Sequence, residues 1–484
     1  MSIGGTLSSA LSGLTATAKA AELVSSNIAN ATTPGYARRE ILLTARTVGT
    51  QGQGVLVVGV RRAVDIPLLG DRRLSQSTYG DADTRATFLR RLEQAIGTPD
   101  QAFSLNGRVA TFEAALTEAS SHPESEPRLS AVLGAAKALA TQIGIASKDV
   151  QAARTLANSE IDNNVGQLNT ALERVVKLNT EIRRGSGLGQ DVAAFQDQRQ
   201  QLVDQIATII PLREIQQTDG SISLYTPSGA VLLDGVAAVF GFNGTTSVNP
   251  YVANGTGLSG LTLNGNAIAT AGEKSVILGG TLGANFAVRD ELAVLAQAQL
   301  DALARDLVER FSDSGLDPTR APGDPGLFTD AGSAFDAVNE VGLSQRLKVN
   351  AAVDPGQGGA LWRMRSGLGA TAPGAAGDTS LLTALRSSLT APREPVSGGF
   401  MAGQRSFSTF ASDLLSHAAT SRLSADGEAA YARTRLETFE SIEAGNGVDT
   451  DQEMQALLQI EQAYAANAKV IQMVGEMIQR LLDI

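Results

Sequence analysis

The sequence predicts a mainly α protein with an inserted β-rich domain. It reads as a long antiparallel helical bundle whose N- and C-terminal helices form a coiled coil. Three observations carry this. Apolar residues recur at alternating spacings of three and four along both ends of the chain. The same period runs through two long central stretches. It vanishes between about Pro211 and Gly283, where short alternating runs are separated by Gly and Asn.

At the N-terminal end, Ile3, Leu7, Ala10, Leu14, Thr17, Ala21, Val24 and Ile28 form an a/d seam of roughly four heptads, the pattern of helices that wind around one another. Its residues are small to medium, which favours close approach of a partner. The helix then meets a stop. Asn27 and Asn30 are read as helix-end residues, because Asn tolerates the left-handed conformation of a C-cap. Thr33-Pro34-Gly35-Tyr36 suits a type II turn, with Pro second and Gly third. Asn27, Ile28, Asn30, Pro34, Gly35 and Tyr36 are therefore expected to form a joint between an assembly helix and the outer body. A β-like stretch, "GQGVLVVGVRRAVD", follows at 52–65.

The C-terminal seam is longer: Leu457, Ile460, Tyr464, Asn467, Ile471, Val474, Ile478 and Leu481 follow without a slip. Asn467 is its polar member, a kind of position that can fix register at some cost in stability. Asp449 or Thr450 is expected to cap this helix, with Asp451 and Glu453 favoured in its first turn by the helix dipole. That reading also accounts for the spacing of Asp449, Asp451 and Glu453, which fails as a calcium loop because Met454 and Ile460 stand where Gly and Glu are needed.

Between the ends, one pattern runs Ile161, Val165, Leu168, Leu172, Val175, Asn179, Ile182 and another Leu292, Ala296, Leu300, Leu303, Leu307, Phe311. Residues 85–120, 128–155, 192–209 and 402–444 also read as helix. The run "SISLYT", "AVLLDG", "LTLNG", "KSVILGG" reads as antiparallel strands. From about Asp317 to Gly377 the chain is rich in Gly, Pro and Ala, with strand pieces expected at 346–353 and 360–365. The expected division is a terminal coiled coil (1–35 with 448–484), a helical rod-like body (36–211 with 284–316 and about 380–447) and a β-rich outer domain (212–283 with about 317–379).

Composition excludes several functions. The chain has 484 residues and a formal net charge of -11, with a pI of about 4.9, which argues against nucleic-acid binding and attraction to an anionic membrane. It lacks cysteine and has two histidines, His122 and His417, so thiol chemistry is absent and a histidine-based metal site or triad lacks partners. Gly255-Thr256-Gly257-Leu258-Ser259-Gly260 matches a dinucleotide string, but a strand-like stretch follows it instead of the helix that pyrophosphate binding needs. Arg38-Arg39 and Arg61-Arg62 read as solvated surface charge. No enzyme and no cofactor is expected, no membrane insertion either, and no cleavable signal peptide is visible at Met1–Gly5.

Two terminal helices with unfilled apolar seams pair with each other, with other chains, or both. Where one such surface repeats from subunit to subunit, the result is a ring or a helical filament. The residues also carry a resemblance. "LSSALSGLTATAKAAELVSSNIANATTPGYARRE" resembles the N-terminal signature of the bacterial flagellar axial proteins (rod, hook and hook-associated), and "GNGVDTDQEMQALLQIEQAYAANAKVIQMVGEMIQRLLDI" resembles their C-terminal end. "GQGVLVVGVRRAVDIPLLGDRRLSQS", "FQDQRQQLVDQIATIIPLREIQQTDGSISLYTPSGAVLL" and "RLKVNAAVDPGQGG" are similar to the hook-associated branch.

That resemblance implies a structural subunit in a ring of identical subunits between hook and filament. It implies terminal helices lining an inner tube, with hook protein on one side and a second junction protein on the filament side. It further implies export to the cell exterior through the flagellar type III apparatus without a cleaved signal, a cytoplasmic chaperone having held the C-terminal seam. The other readings are a different axial component, hook or distal rod, and an adhesin-like role for 212–283.

Overall fold

The computed structural model describes residues 3–33, 35–48, 51–272, 275–313 and 315–483. Helix α1 (Ile3–Ala29) leads into an antiparallel hairpin of β1 (Arg39–Val48) and β2 (Gln51–Arg62). Helix α2 (Ile66–Ile96) starts at Asp65, whose carboxylate accepts the Leu68 N–H at 3.1 Å, and ends at Gly97 in a positive-φ conformation. Helices α3 (Leu105–Ser121), α4 (Glu126–Gly187) and α5 (Ala193–Ile209) follow. The two helical patterns at 128–155 and 161–182 are one continuous helix of 62 residues, because no Gly or Pro breaker separates them strongly enough to stop the turn.

The insertion then unfolds as short strands. β3 (Arg213–Gln216), β4 (Ile222–Tyr225), β5 (Val231–Asp234) and β6 (Val236–Ala237) make an antiparallel sheet in sequence order. β7 (Phe240–Gly241), β8 (Ala253–Asn254), β9 (Gly257–Leu258), β10 (Leu261–Leu263) and β11 (Asn266–Ile268) follow, with β10 central between β11 and β7. The dinucleotide-like string thus lies in a turn among strands, with no helix opening from it.

Helix α6 (Gly280–Ala287) passes through a π turn (Val288–Leu292) into α7 (Ala293–Ser312). Then come β12 (Phe328–Asp330), α8 (Leu343–Arg346), β13 (Leu347–Val349), α9 (Arg363–Ser366), α10 (Ser380–Thr390), α11 (Phe407–Gly445) and α12 (Thr450–Leu482).

Two cores lie along α4. The first gathers α3, the N-terminal part of α4, α7, α10 and α11 around Phe112, Phe311 and Phe328, whose rings meet at 5.2 to 5.9 Å. The second packs Ile161, Leu168, Leu172 and Val175 of α4 against α5, α6 and the strands through Leu224, Leu233 and Leu261. A third contact is made of alanines: Ala82 and Ala86 of α2 against Ala425, Ala429 and Ala432 of α11, which lets these helices approach closely. One window of α4, with mean hydropathy 1.4, is apolar enough to cross a membrane by composition. In this fold it is a core helix, with Val132, Leu139 and Ile143 fully buried.

Several expectations need correction. The helix read over 85–120 is broken at 97–104 between α2 and α3. The stretch read as the strand "KSVILGG" makes a turn over 275–279 that leads into α6. Of 346–353, only Leu347–Val349 is strand. Residues 360–365 form turns and α9 and no strand, since Trp362 to Ser366 close successive helical hydrogen bonds. The segment 317–379 does not share a β-rich unit with 212–283. It contributes Leu327, Phe328, Leu343, Leu347, Val349, Val353 and Met364 to the first core, whereas the strands of the insertion belong to the second. Its scattered apolar residues plug the helical body, and a Gly/Pro-rich composition gave them no period to reveal it.

Candidate assembly interface

Helix α1 packs antiparallel on α12 and, on another side, against the hairpin. Gly13 marks the closest approach. A Cβ there would sit 2.8 Å from Asn467 Oδ1, so the polar residue of the C-terminal seam is seated against a glycine of α1. Asn467 Nδ2 donates back to the Ala463 carbonyl at 2.9 Å, which satisfies the amide within its own helix. Asp449 caps α12 by accepting the N–H groups of Asp451 and Gln452.

At the far end of the pair, a buried polar network replaces apolar contact. Glu453 is 1% exposed. Its Oε1 accepts Arg38 Nε at 2.6 Å and its Oε2 accepts Asn27 Nδ2 at 3.1 Å. Asn27 also donates to the Arg39 carbonyl and accepts both the Arg39 N–H and the Tyr36 hydroxyl on Oδ1, each within 3.0 Å. Every polar atom of this buried amide and carboxylate is therefore engaged, the condition under which burying them is tolerable. The Arg39 guanidinium stacks over the Tyr36 ring at 4.9 Å.

The network continues into the body. Arg39 and Arg62 face each other across the hairpin, and both reach Asp197 of α5, at 3.1 and 2.7 Å. Burial lowers the Arg62 pKa, with Asp197 opposing that shift. Arg38 and Arg61 both pair with Glu40. Of the basic pairs read from sequence as solvated charge, Arg38, Arg39 and Arg62 are thus fasteners to distant acids, while Arg61 stays largely in solvent. Nothing in their local sequence marks this, since Glu453 lies 415 positions from Arg38 and Asp197 lies 135 from Arg62.

The joint residues divide. Asn27 is buried and is the hub just described. Ile28 is half-buried in the last turn of α1. Asn30 donates to the Ser26 carbonyl and accepts from Thr33. Neither Asn adopts the left-handed conformation expected of a C-cap. Among the described residues outside glycine, only Asn264 and Ala331 have positive φ. The left-handed step belongs to Gly35 (φ 75), and the Tyr36 N–H closes the turn on the Thr33 carbonyl at 3.1 Å. Pro34 lies outside the described residues.

The seams are only partly covered within one chain. Val24 and Val474 are buried, and Leu14, Ala21, Ile28, Leu457, Ile460, Asn467 and Ile471 are half-buried. Ile3, Leu7, Tyr464, Ile478 and Leu481 are exposed. Helix α12 also carries apolar side chains off the seam, at Met454, Leu458, Met473, Met477 and Leu482, all exposed. An apolar stripe on two faces of one helix, with a single partner covering one of them, is a surface for further helices.

Three family models match parts of the chain. Residues 89–326 match the family described as the flagellar hook-associated protein FlgK helical domain. Residues 7–36 match the flagella basal body rod protein family, and 443–484 the C-terminal family of flagellar basal body rod FlgEFG proteins. The flagellar hook-associated protein 1 of Salmonella typhimurium is 28% identical over 236 residues, which is 47% of this chain and 42% of the relative. The alignment therefore spans less than half of that relative's length. The protein of the same description from Bacillus subtilis is 23% identical over 508 residues, 99% of this chain and 97% of the relative. Among solved structures, the flagellar hook junction protein FlgK from Burkholderia pseudomallei superposes with a TM-score of 0.45 at 20% identity, over 54% of this chain and 46% of that one.

Proposed function

The chain belongs to the flagellar hook-associated protein 1 family, and from that premise we propose that it is a ring-forming subunit joining hook to filament. The family is structural and not enzymatic, its place is the bacterial flagellum, and it assembles with other flagellar axial components. The observation that carries the proposal is the pair α1 and α12: two long helices held together antiparallel, whose remaining apolar faces stay exposed among the described residues. Neighbouring subunits in a ring would bury Leu481, Leu482, Met473 and Met477 together with Ile3 and Leu7.

In this reading Asn27, Ile28, Asn30, Pro34, Gly35 and Tyr36 set the angle between the terminal pair and the body. Hook protein and a second junction protein cap the ring on its two sides. A cytoplasmic chaperone covers the α12 seam before export without a cleaved signal, because an exposed two-faced apolar helix needs shielding until it reaches its neighbours. The terminal pair, the helical body and the strands at 213–268 act as inner, middle and outer parts.

A deletion strain tests the proposal. Cells should make hooks without filaments and shed filament protein into the medium. Normal filaments on such cells would refute it.

A further inference from the structure

We propose that the cleft between the base of the hairpin and the body binds a small multivalent oxyanion. The cleft is a cavity of about 340 Å³ lined by Arg61, Arg62, Arg73, Arg199, Gln200 and Glu214 among others. Four guanidinium groups and one carboxylate thus line it, in a chain whose net charge is -11.

Of the surrounding carboxylates, Glu40 pairs with Arg61, Asp197 with Arg62 and Asp204 with Arg73, which leaves Arg199 as the lining guanidinium without an ion pair among the described residues. Asp197 is shared by Arg39 and Arg62, and Asp204 by Arg72 and Arg73. Arg73 also pairs with Glu214 at 2.6 Å, yet its Nη2 is buried without a hydrogen-bond partner. Arg199 is 6% exposed. It donates Nη1 to Asn179 Oδ1 and to the Gly220 carbonyl, and among the described residues it makes no ion pair. Burial holds its pKa down to about 10, with Glu214 opposing the shift, so the group remains a cation at neutral pH.

Buried cations without a counter-charge are costly, and an anion entering the cleft would remove that cost. Guanidinium forks match the oxygen geometry of phosphate and carboxylate groups, and a cavity of this size admits either. The occupant would bridge Arg61 and Arg62 of β2 to Arg73 of α2 and Arg199 of α5. It would clamp the hairpin, and with it the base of α1, to the body.

The test uses the full chain, titrated with inorganic phosphate and separately with citrate, against chloride at equal ionic strength. Calorimetry should give saturable binding at one site, and the melting temperature should rise with phosphate or citrate but not with chloride. A response to phosphate alone assigns the site to a phosphate group, and a stronger one to citrate assigns it to a polycarboxylate. Arg199→Gln should weaken binding about tenfold or more, and Arg61→Gln, at the exposed rim, by a few-fold.

Gln200→Glu should imitate the ligand. Gln200 already accepts Arg62 Nη2 at 2.6 Å, so a carboxylate there should raise the melting temperature in anion-free buffer and abolish the response to phosphate. Equal effects of all three salts would overturn the proposal. So would a Gln200→Glu protein that still binds as the parent does.

Discussion

Asn27 and Glu453 are 426 positions apart in sequence, and Asn27 Nδ2 donates to Glu453 Oε2 at 3.1 Å in a site closed to solvent. This contact ties the helix that begins the fold to the one that completes it. Glu453 also holds Arg38, so removing the carboxylate strands a guanidinium and an amide together. Breaking a buried pair by deleting one member costs about 3–5 kcal/mol, less here because Arg38 is partly open to water.

Glu453→Ala should therefore cost about 2 kcal/mol in the stability of the terminal pair, within the usual range for a lost buried network. Hydrogen exchange should quicken over residues 3–33 and 450–483 while α3, α4 and α7 keep their protection. Uniform quickening would mean that the network serves the whole body instead of the joint.

Gly13→Ala should loosen α1 from α12, although alanine favours helix by about 1 kcal/mol over glycine. The new methyl meets the Asn467 amide, which must turn aside and give up its bond to the Ala463 carbonyl, or the pair must separate. Gly13→Ala combined with Asn467→Ala should restore or exceed the parent's melting temperature. A double variant no better than the single one would place the constraint elsewhere.

The seam and the open face make different demands. Ile471→Asp puts a charge in a half-buried contact and should cost roughly 2 kcal/mol as well as prevent assembly. Leu481→Asp lies on a side chain 61% exposed and should leave the monomer's stability within about 0.5 kcal/mol. It should still block incorporation into hooks, read by whether filaments form. Incorporation of both variants would contradict the assembly reading.

Asp354 gives a pH-dependent test. The Gln357 side chain and then the Lys137 ammonium, 2.6 Å away, lower its pKa from the usual carboxylate value. A carboxylate whose folded pKa is depressed contributes stability above its unfolded pKa and loses it as pH falls through the folded value. Asp354→Asn should thus be less stable than the parent at pH 7, by about 1 kcal/mol given that Lys137 is half exposed. The gap should close as pH falls below 3.8. A gap independent of pH would assign the effect to the helical cap at Pro355–Gln357 and not to charge.

The helices were legible because burial on one face forces a period into the sequence. That is why helices stand at both ends of the chain, at α7 and at α11, where the sequence reads as helix. Asp449 could be identified as a cap because a cap is a local device. Asn27, Arg38, Asp197 and Glu453 were legible only as a helix-end amide, a surface base and two acids, since each takes its role from a partner far along the chain. The plug formed by Leu327, Phe328 and Met364 was missed for a related reason: irregular backbone carries no repeat, so its apolar residues look incidental until the helices around them are in place.

The 62-residue helix α4 is, at 1.5 Å per residue, a strut of about 93 Å. Its contacts with the first core end at Ala157 and those with the second begin at Ile161. Between them Asn158 accepts Arg289 Nη1 and donates to the Thr245 carbonyl. A twisting or bending load carried along α4 from one core to the other crosses a single helical turn, with α6, the π turn and α7 as a second route beside it. If the chain stands between hook and filament as proposed, that turn is one of the places where torque would be carried.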